Sequence, residues 1–280
     1  MRRSALGVKL EAQGRLGPQV RVRVQVQLYH RLPWIGLTWE FVFEQASIGS
    51  FFDDDSKLRV QWPLAFRGEI QHDIAFGVTS SLPDRPFFPA TWVDISDGER
   101  GLAYLHQGTP KHWLADDVLV NLLGWGESTD AIGNRLGLGR WPKAFDQRLN
   151  GRHTLRAAIY PHPGDWRAAE VTRVARSFAA PPSAYLNGSG PGQLPASLNM
   201  LELTGTELHA TAVKAEADQV VCRVYSASQQ PQAIGLRLNG LKPAGLLALT
   251  GEPLREIGSY QIAMLRLEPE AAGQQEVERE

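Results

Sequence analysis

The stretch from Phe145 to Trp166 reads FDQRLNGRHTLRAAIYPHPGDW and holds Asp146, Arg152, His153, Tyr160, His162, Asp165 and Trp166. Carboxylates and imidazoles move protons in general acid–base catalysis. Arginine, aspartate and histidine also bond sugar hydroxyls, while an aromatic ring covers the apolar face of a sugar. The same side chains can tie a β-hairpin together with nothing bound. Choosing among the catalytic, sugar-contacting and structural readings requires the elements that position these residues.

The segment HTLRAAIYPH reads as a strand with Leu155, Ala157 and Ile159 facing inward. His153 and His162 then lie at its two ends, about 30 Å apart at strand rise, too far to share a metal unless the strand bends. GDWRAAEVTRVARSFA follows with helical spacing, since Trp166, Ala169, Val171, Val174 and Phe178 fall on one face. Asp165 is its expected N-cap, and a short helix near 165–178 is the one helix predicted.

Upstream, QVRVRVQVQLY alternates Val20, Val22, Val24, Val26 and Leu28 with arginine and glutamine, the pattern of a strand with one wet face. LTWEFVF, KLRVQW, IQHDIAFGV, TWVDIS, GLAYLH and DVLVNLL follow as short strands separated by turn residues. The glycine-rich stretch 126–144 is expected to be a long surface loop. APPSAYLNGSGPGQLPAS reads as a linker, after which ELHATAVKA, QVVCRVYS, AIGLRLNG, GLLALTG and YQIAMLRLEP resume as strands. The expectation is an all-β chain, a larger β-sandwich followed by a smaller one. Its parts are a first domain over 1–178, a linker over 179–197, a second domain over 198–270 and a frayed tail over 271–280.

With 29 Lys and Arg against 30 Asp and Glu, the net charge of −1 argues against nucleic acid as a partner and against an electrostatic membrane anchor. No apolar run is long enough for a membrane span and no signal peptide is apparent, so a cytoplasmic protein is expected. The charged, strand-like opening reads as though another segment precedes it. The single cysteine, Cys222, sits in a strand-like run and is expected to be a buried apolar group.

None of the seven histidines forms a zincin pair. No G-x-S-x-G elbow is present, and GNRLGLG lacks the strand and helix that a dinucleotide loop needs. The acidic runs at 53–55 and 116–117 read as turns. Glu69 and His153 could be cast as the acid and base of an aldose epimerase, a remote reading. The eight tryptophans are numerous. Several stand beside turns or carboxylates, as a sugar-binding rim would require, although most are expected in the core.

Taken in order, several segments resemble the C-terminal β-region of glycoside hydrolase family 38, the α-mannosidases. VRVQVQLYHRLPWIGLTWEFVFEQ is similar to that family's first strand pair, and KLRVQWPLAF and IQHDIAFGV to the strands that follow. FFPATWVDISDGERGLAYLHQG, FDQRLNGRHTLRAAIYPHPGDW and ELHATAVKAEADQVVCRVYSASQQP are similar to its later segments. The chain departs from the family pattern at LLGWG, where a basic residue is replaced, and in the insertion between Asp146 and His153.

The resemblance implies a mutarotase-like β-supersandwich followed by the smaller sandwich. It also implies that catalysis belongs to an N-terminal barrel and helical region, where two His and two Asp hold zinc and Asp residues serve as nucleophile and acid. Residues 1–280 carry no counterpart of that region and no H-x-D zinc motif. No catalytic residue, metal ligand or cofactor is therefore assigned here, and zinc is expected only in the catalytic region.

The expected role is a non-catalytic β-region of an α-mannosidase-like enzyme, inactive alone, that supports the catalytic part and shapes carbohydrate binding. The alternative is a free-standing carbohydrate-binding or assembly module. Candidate sugar contacts are Asp146, Arg152, His153, Tyr160, His162, Trp166 and Trp92. The partners expected are mannosides and a catalytic domain or chain, and a homo-oligomer is compatible with either role.

Overall fold

The computed structural model describes residues 1–50, 57–137, 147–181, 183, 201–205, 207–216, 219–238 and 241–269. Asp146, most of the linker and the tail at 271–280 lie outside them. The chain divides into two compact units. One comprises 1–74 with 79–183, and the other comprises 184–280 with the hairpin tip 75–78.

The first unit opens with β1 (Arg2–Ser4), β2 (Gly7–Arg15), β3 (Val20–Tyr29), β4 (Ile35–Ala46), β5 (Leu58–Pro63), β6 (Glu69–Ile74) and β7 (Gly77–Ser81). It continues with β8 (Trp92–Ser96), β9 (Arg100–Gln107), β10 (His112–Ala115), β11 (Val118–Gly124), α1 (Thr129–Arg135), β12 (Leu149–Pro163) and α2 (Val171–Ala179). Nine strands form one sheet in the order β1-β2-β3-β4-β12-β9-β8-β6-β7, and β10-β11-β5 form a second.

Alternation decides which face meets the core. In register, Val22, Val24 and Val26 of β3 stand opposite Phe41, Trp39 and Leu37 of β4. These side chains join Val93, Ile95, Tyr104 and Ala157 in a cluster that Leu114 and Leu119 of the small sheet complete. The two sheets thus enclose one apolar layer.

The opposite face of the large sheet is covered by α2 at one end. Val171, Val174 and Ala175 of the helix are buried, as are Trp92, Ala103, Leu105 and Ala158 on the strands. Gln107 Nε2 donates to the Phe178 carbonyl at 3.0 Å, satisfying an acceptor that the helix end leaves open. The Asp73 carboxylate accepts from the amides of Thr91 and Trp92 at 2.8 and 3.0 Å, which fixes the entry to β8.

The second unit is a seven-stranded antiparallel sheet of β13 (Leu201–Thr204), β14 (Leu208–Glu216), β15 (Gln219–Ser226), β16 (Gly235–Leu238), β17 (Leu241–Ala248), β18 (Pro253–Leu254) and β19 (Ile262–Pro269). Its order is β13-β16-β17-β19-β15-β14, with β18 beside β17. Cys222 is fully buried there among Val224, Leu265 and Leu267, and burial raises its thiol pKa.

Among the described residues the chain is all-β apart from two short helices, one more than predicted. The extra helix, α1, lies inside the stretch expected as loop. Ser128 caps it by accepting from the Ala131 amide, and Ile132 is buried beneath it. The predicted helix begins later than Asp165. Asp165 does accept from the amides of Arg167 and Ala168, but the left-handed Glu170 (φ 50°) separates that turn from α2. IQHDIAFGV is two strands, β6 and β7, turned at Phe76 (φ 59°). Among the described residues no helix is long and apolar enough to cross a membrane.

Candidate functional site

The unbroken β12 carries most of the candidate residues and separates them. Arg152 and His153 lie near its start, and Tyr160 and His162 near its end, roughly 30 Å away at strand rise. The seven residues named from sequence therefore do not form one site. Asp146 is outside the described residues.

At the far end, beneath the α2 face, His162 Nε2 lies 2.7 Å from Asp94 Oδ1, and both side chains are fully buried. The imidazole stands over Gly101, its cross-strand partner. A Cβ there would come within 2.2 Å of His162 Cε1, so only glycine leaves room for the ring. His162 Nδ1 faces the Pro163 carbonyl at 3.3 Å.

Burial pushes the His162 pKa down. The hydrogen bond and charge of Asp94, the Pro163 carbonyl and Asp165 together push harder, and the net result lies above the ordinary value. With an acceptor at each ring nitrogen, the doubly protonated imidazolium is the form that the surroundings satisfy.

Trp92 and Trp166 are 0% and 3% exposed and pack on each other with ring centroids 5.5 Å apart. Arg167 covers the Trp166 ring at 4.0 Å. The Tyr160 hydroxyl donates to the Ala169 carbonyl at 3.1 Å and pins the turn before α2. An imidazole beside a carboxylate is the pairing of a general base. Here it is sealed, and the rings meant for a sugar are occupied by each other and by Arg167. These residues hold α2 on the sheet. Gly101→Ala is accordingly expected to cost about 1–3 kcal/mol, because the imidazole must be driven off Asp94. Urea midpoints check this, and a midpoint equal to that of the parent would show that the ring has space to move.

Between the two sheets lies a second group that sequence reading missed. His72, His106 and His112 are buried. The His106 and His112 rings are 4.9 Å apart, and Phe87 lies parallel to both His72 and His112. Tyr104 donates to Asn121 Oδ1 at 3.1 Å, and Asn121 Nδ2 donates to the Thr109 carbonyl at 2.8 Å. Burial lowers the pKa of His106 to about 4. Burial, with the neighbouring His106, lowers that of His112 to about 3. His106 and His112 are thereby held neutral at pH 7, and all three rings are closed to solvent.

The near end of β12 is open. His153 is exposed, rests edge-on against Phe43 at 5.4 Å and has Nε2 2.9 Å from the Asn150 carbonyl. Arg152 borders a concavity of about 440 Å³ with Arg15, Arg21, Arg23 and Glu40. The remote Glu69–His153 pairing fails on distance, since register places Glu69 opposite Ser96, in the row of His162. Among the described residues no three His, Cys, Asp or Glu side chains converge to hold a metal ion.

No protein-family model and no curated protein matches the sequence. Solved structures do match it. A protein of glycosyl hydrolase family 38 from Enterococcus faecalis aligns with a TM-score of 0.70 at 18% identity, over 88% of this chain and 30% of that one. An α-mannosidase from Enterococcus faecalis aligns with a TM-score of 0.70 at 17% identity, over 88% of this chain and 29% of that one. The chain thus spans about 30% of the length of the solved proteins it matches. Identity at this level speaks to the backbone alone, and the fold is that of the matching part of a glycosyl hydrolase family 38 chain.

Proposed function

We propose that the chain is the β-region of an α-mannosidase-type glycoside hydrolase. It performs no hydrolysis by itself, buttresses a catalytic part and shapes the carbohydrate cleft formed with that part. The observation that supports this reading is the asymmetry of the match, 88% of this chain against 30% of the other. Its first unit would be a mutarotase-like supersandwich, its ligands mannosides, and its setting cytoplasmic, with self-association compatible with the same role. The described residues offer no set that fits the family's zinc, so no hydrolytic step is derived through it.

A free-standing carbohydrate-binding module is the second reading. The burial of Trp39, Trp92 and Trp166 removes much of the tryptophan argument for it. Among the described candidates, Arg152 and His153 at the open end of β12 are the exposed ones left for sugar contact.

The test is an assay of the purified chain on an aryl α-mannoside with zinc present, beside calorimetry with mannose and α-mannobiose. The expected outcome is no mannose release above a boiled control and no heat from free sugars. Turnover by the chain alone would overturn the proposal. Selective mannose binding without turnover would favour the second reading.

A further inference from the structure

Beyond the cover of α2, the outer face of the large sheet continues as open cross-strand rows. One row runs Arg156, Thr38, Gln25 and Glu11, and the next runs Thr154, Glu40, Arg23 and Gln13. The last runs Arg152, Val42, Arg21 and Arg15. It sets Arg15 directly opposite Arg21, and puts Arg152 two strands away across a small apolar floor. Like charges so placed destabilise a sheet unless something neutralises them.

The described residues supply only part of that neutralisation. Arg23 is taken up by Glu11 at 2.7 Å and Glu40 at 3.5 Å, and Arg21 by Glu44 at 3.0 Å. Arg15 donates to the Pro18 carbonyl, which carries no charge. Among the described residues Arg152 has no ion pair. Among the described residues, four guanidinium groups and one carboxylate, that of Glu40, thus line one concavity of about 440 Å³, with Glu11 and Glu44 pairing to Arg23 and Arg21 from beside it. That volume lies in the range of small-molecule sites, about 300–1,000 Å³.

We propose that this concavity binds an oxyanion, the phosphate or carboxylate group of a small ligand, gripped by Arg152 from one side and by Arg21 and Arg15 from the other. The guanidinium fork matches the oxygens of either group with paired hydrogen bonds. Arg23, held by Glu11 and Glu40, is a positioning residue that keeps those carboxylates away from the ligand. The site is open to water, so binding is screened by salt. The assignment rests on the arginine row and does not depend on the mannosidase reading.

The experiment is calorimetric titration of the full chain in low-salt buffer with inorganic phosphate, mannose 6-phosphate and glucuronate. The expected result is saturable binding of at least one probe. Arg152→Ala and Arg21→Ala should each weaken it about tenfold, since each removes a charge-assisted pair of bonds. Arg237→Ala, in the other unit, should leave it within about twofold, and about 0.5 M NaCl should largely abolish it. A sugar-borne probe that binds more tightly than inorganic phosphate identifies a ligand carrying its oxyanion on a sugar. Equal affinities identify the free oxyanion. The proposal is overturned if no probe saturates by about 10 mM, or if Arg152→Ala binds as the parent does.

Discussion

Lowering the pH from 7 to 4 is expected to remove at least about 3 kcal/mol of folding stability, through two histidines in the interior of the first unit. His106 and His112 are 1% and 0% exposed. Their folded pKa values of about 4 and about 3 lie well below the ordinary 6.5. Below pH 6.5 the unfolded chain takes up protons that the folded chain refuses. The contribution is therefore fully present above that pH and is lost as pH falls towards the folded values. His106 alone supplies the figure given, at 1.36 kcal/mol per pKa unit. His112 adds to it, but the two rings repel each other when charged, so the sum of the separate contributions is an upper bound.

Urea midpoints between pH 7.5 and 4.5 measure the slope. His112→Phe, which keeps an aromatic ring beside Phe87, should be nearly neutral at pH 7 and should flatten the acid limb by about one proton. A flat profile in the parent would sink the argument. His162 has the opposite sign. Its raised pKa contributes stability that is complete below 6.5 and is lost as pH rises through the folded value. The two effects leave maximal stability near the ordinary histidine pKa.

The second large effect is expected at Asp94. Asp94→Ala should destabilise the chain by about 1–3 kcal/mol at pH 6, because the buried His162 imidazole loses its hydrogen-bond acceptor and sheds its proton instead of staying charged without a partner. The same change should send the His162 pKa below its ordinary value, since burial is the largest influence on it and loses its main opponent. NMR titration of the His162 ring protons reads this separately from stability. Asp94→Asn keeps the volume and one acceptor and should cost less. A His162 pKa that stays high in Asp94→Ala would show that some other group holds the proton there.

Legibility in the sequence followed the range of the interactions. The strand pair β3–β4 was plain because its alternation is local, and Val22 opposite Phe41 only completes it. The short α1 was hidden because seven residues with Gly133 inside them show no steady period. Candidate chemistry fared worse. Asp94 and His162 are 68 residues apart and meet only because β8, β9 and β12 are neighbours. The His106–His112 contact depends on β10 turning back to bridge Phe87. Arg21 and Arg23 were visible as a wet face, but nothing local announced that register would bring Arg15 and Arg152 to them. Proximity along the chain misled in the other direction: Arg152 and His162 share a strand and serve opposite ends of it.

The place of β12 in the large sheet also bears on how the chain folds. It is inserted between β4 and β9, so β1 to β4 can form a meander early while their inner edge waits for residues more than a hundred positions later. Such distant pairing is slow to nucleate, because the loop must be closed before any contact repays it. Until β12 arrives, β4 and β9 each present an unsatisfied edge, the kind that recruits other strands into aggregates. During synthesis the vulnerable interval therefore lasts until Pro163 has left the ribosome, and a chain stopped short of that residue holds two half-sheets with nothing to join them.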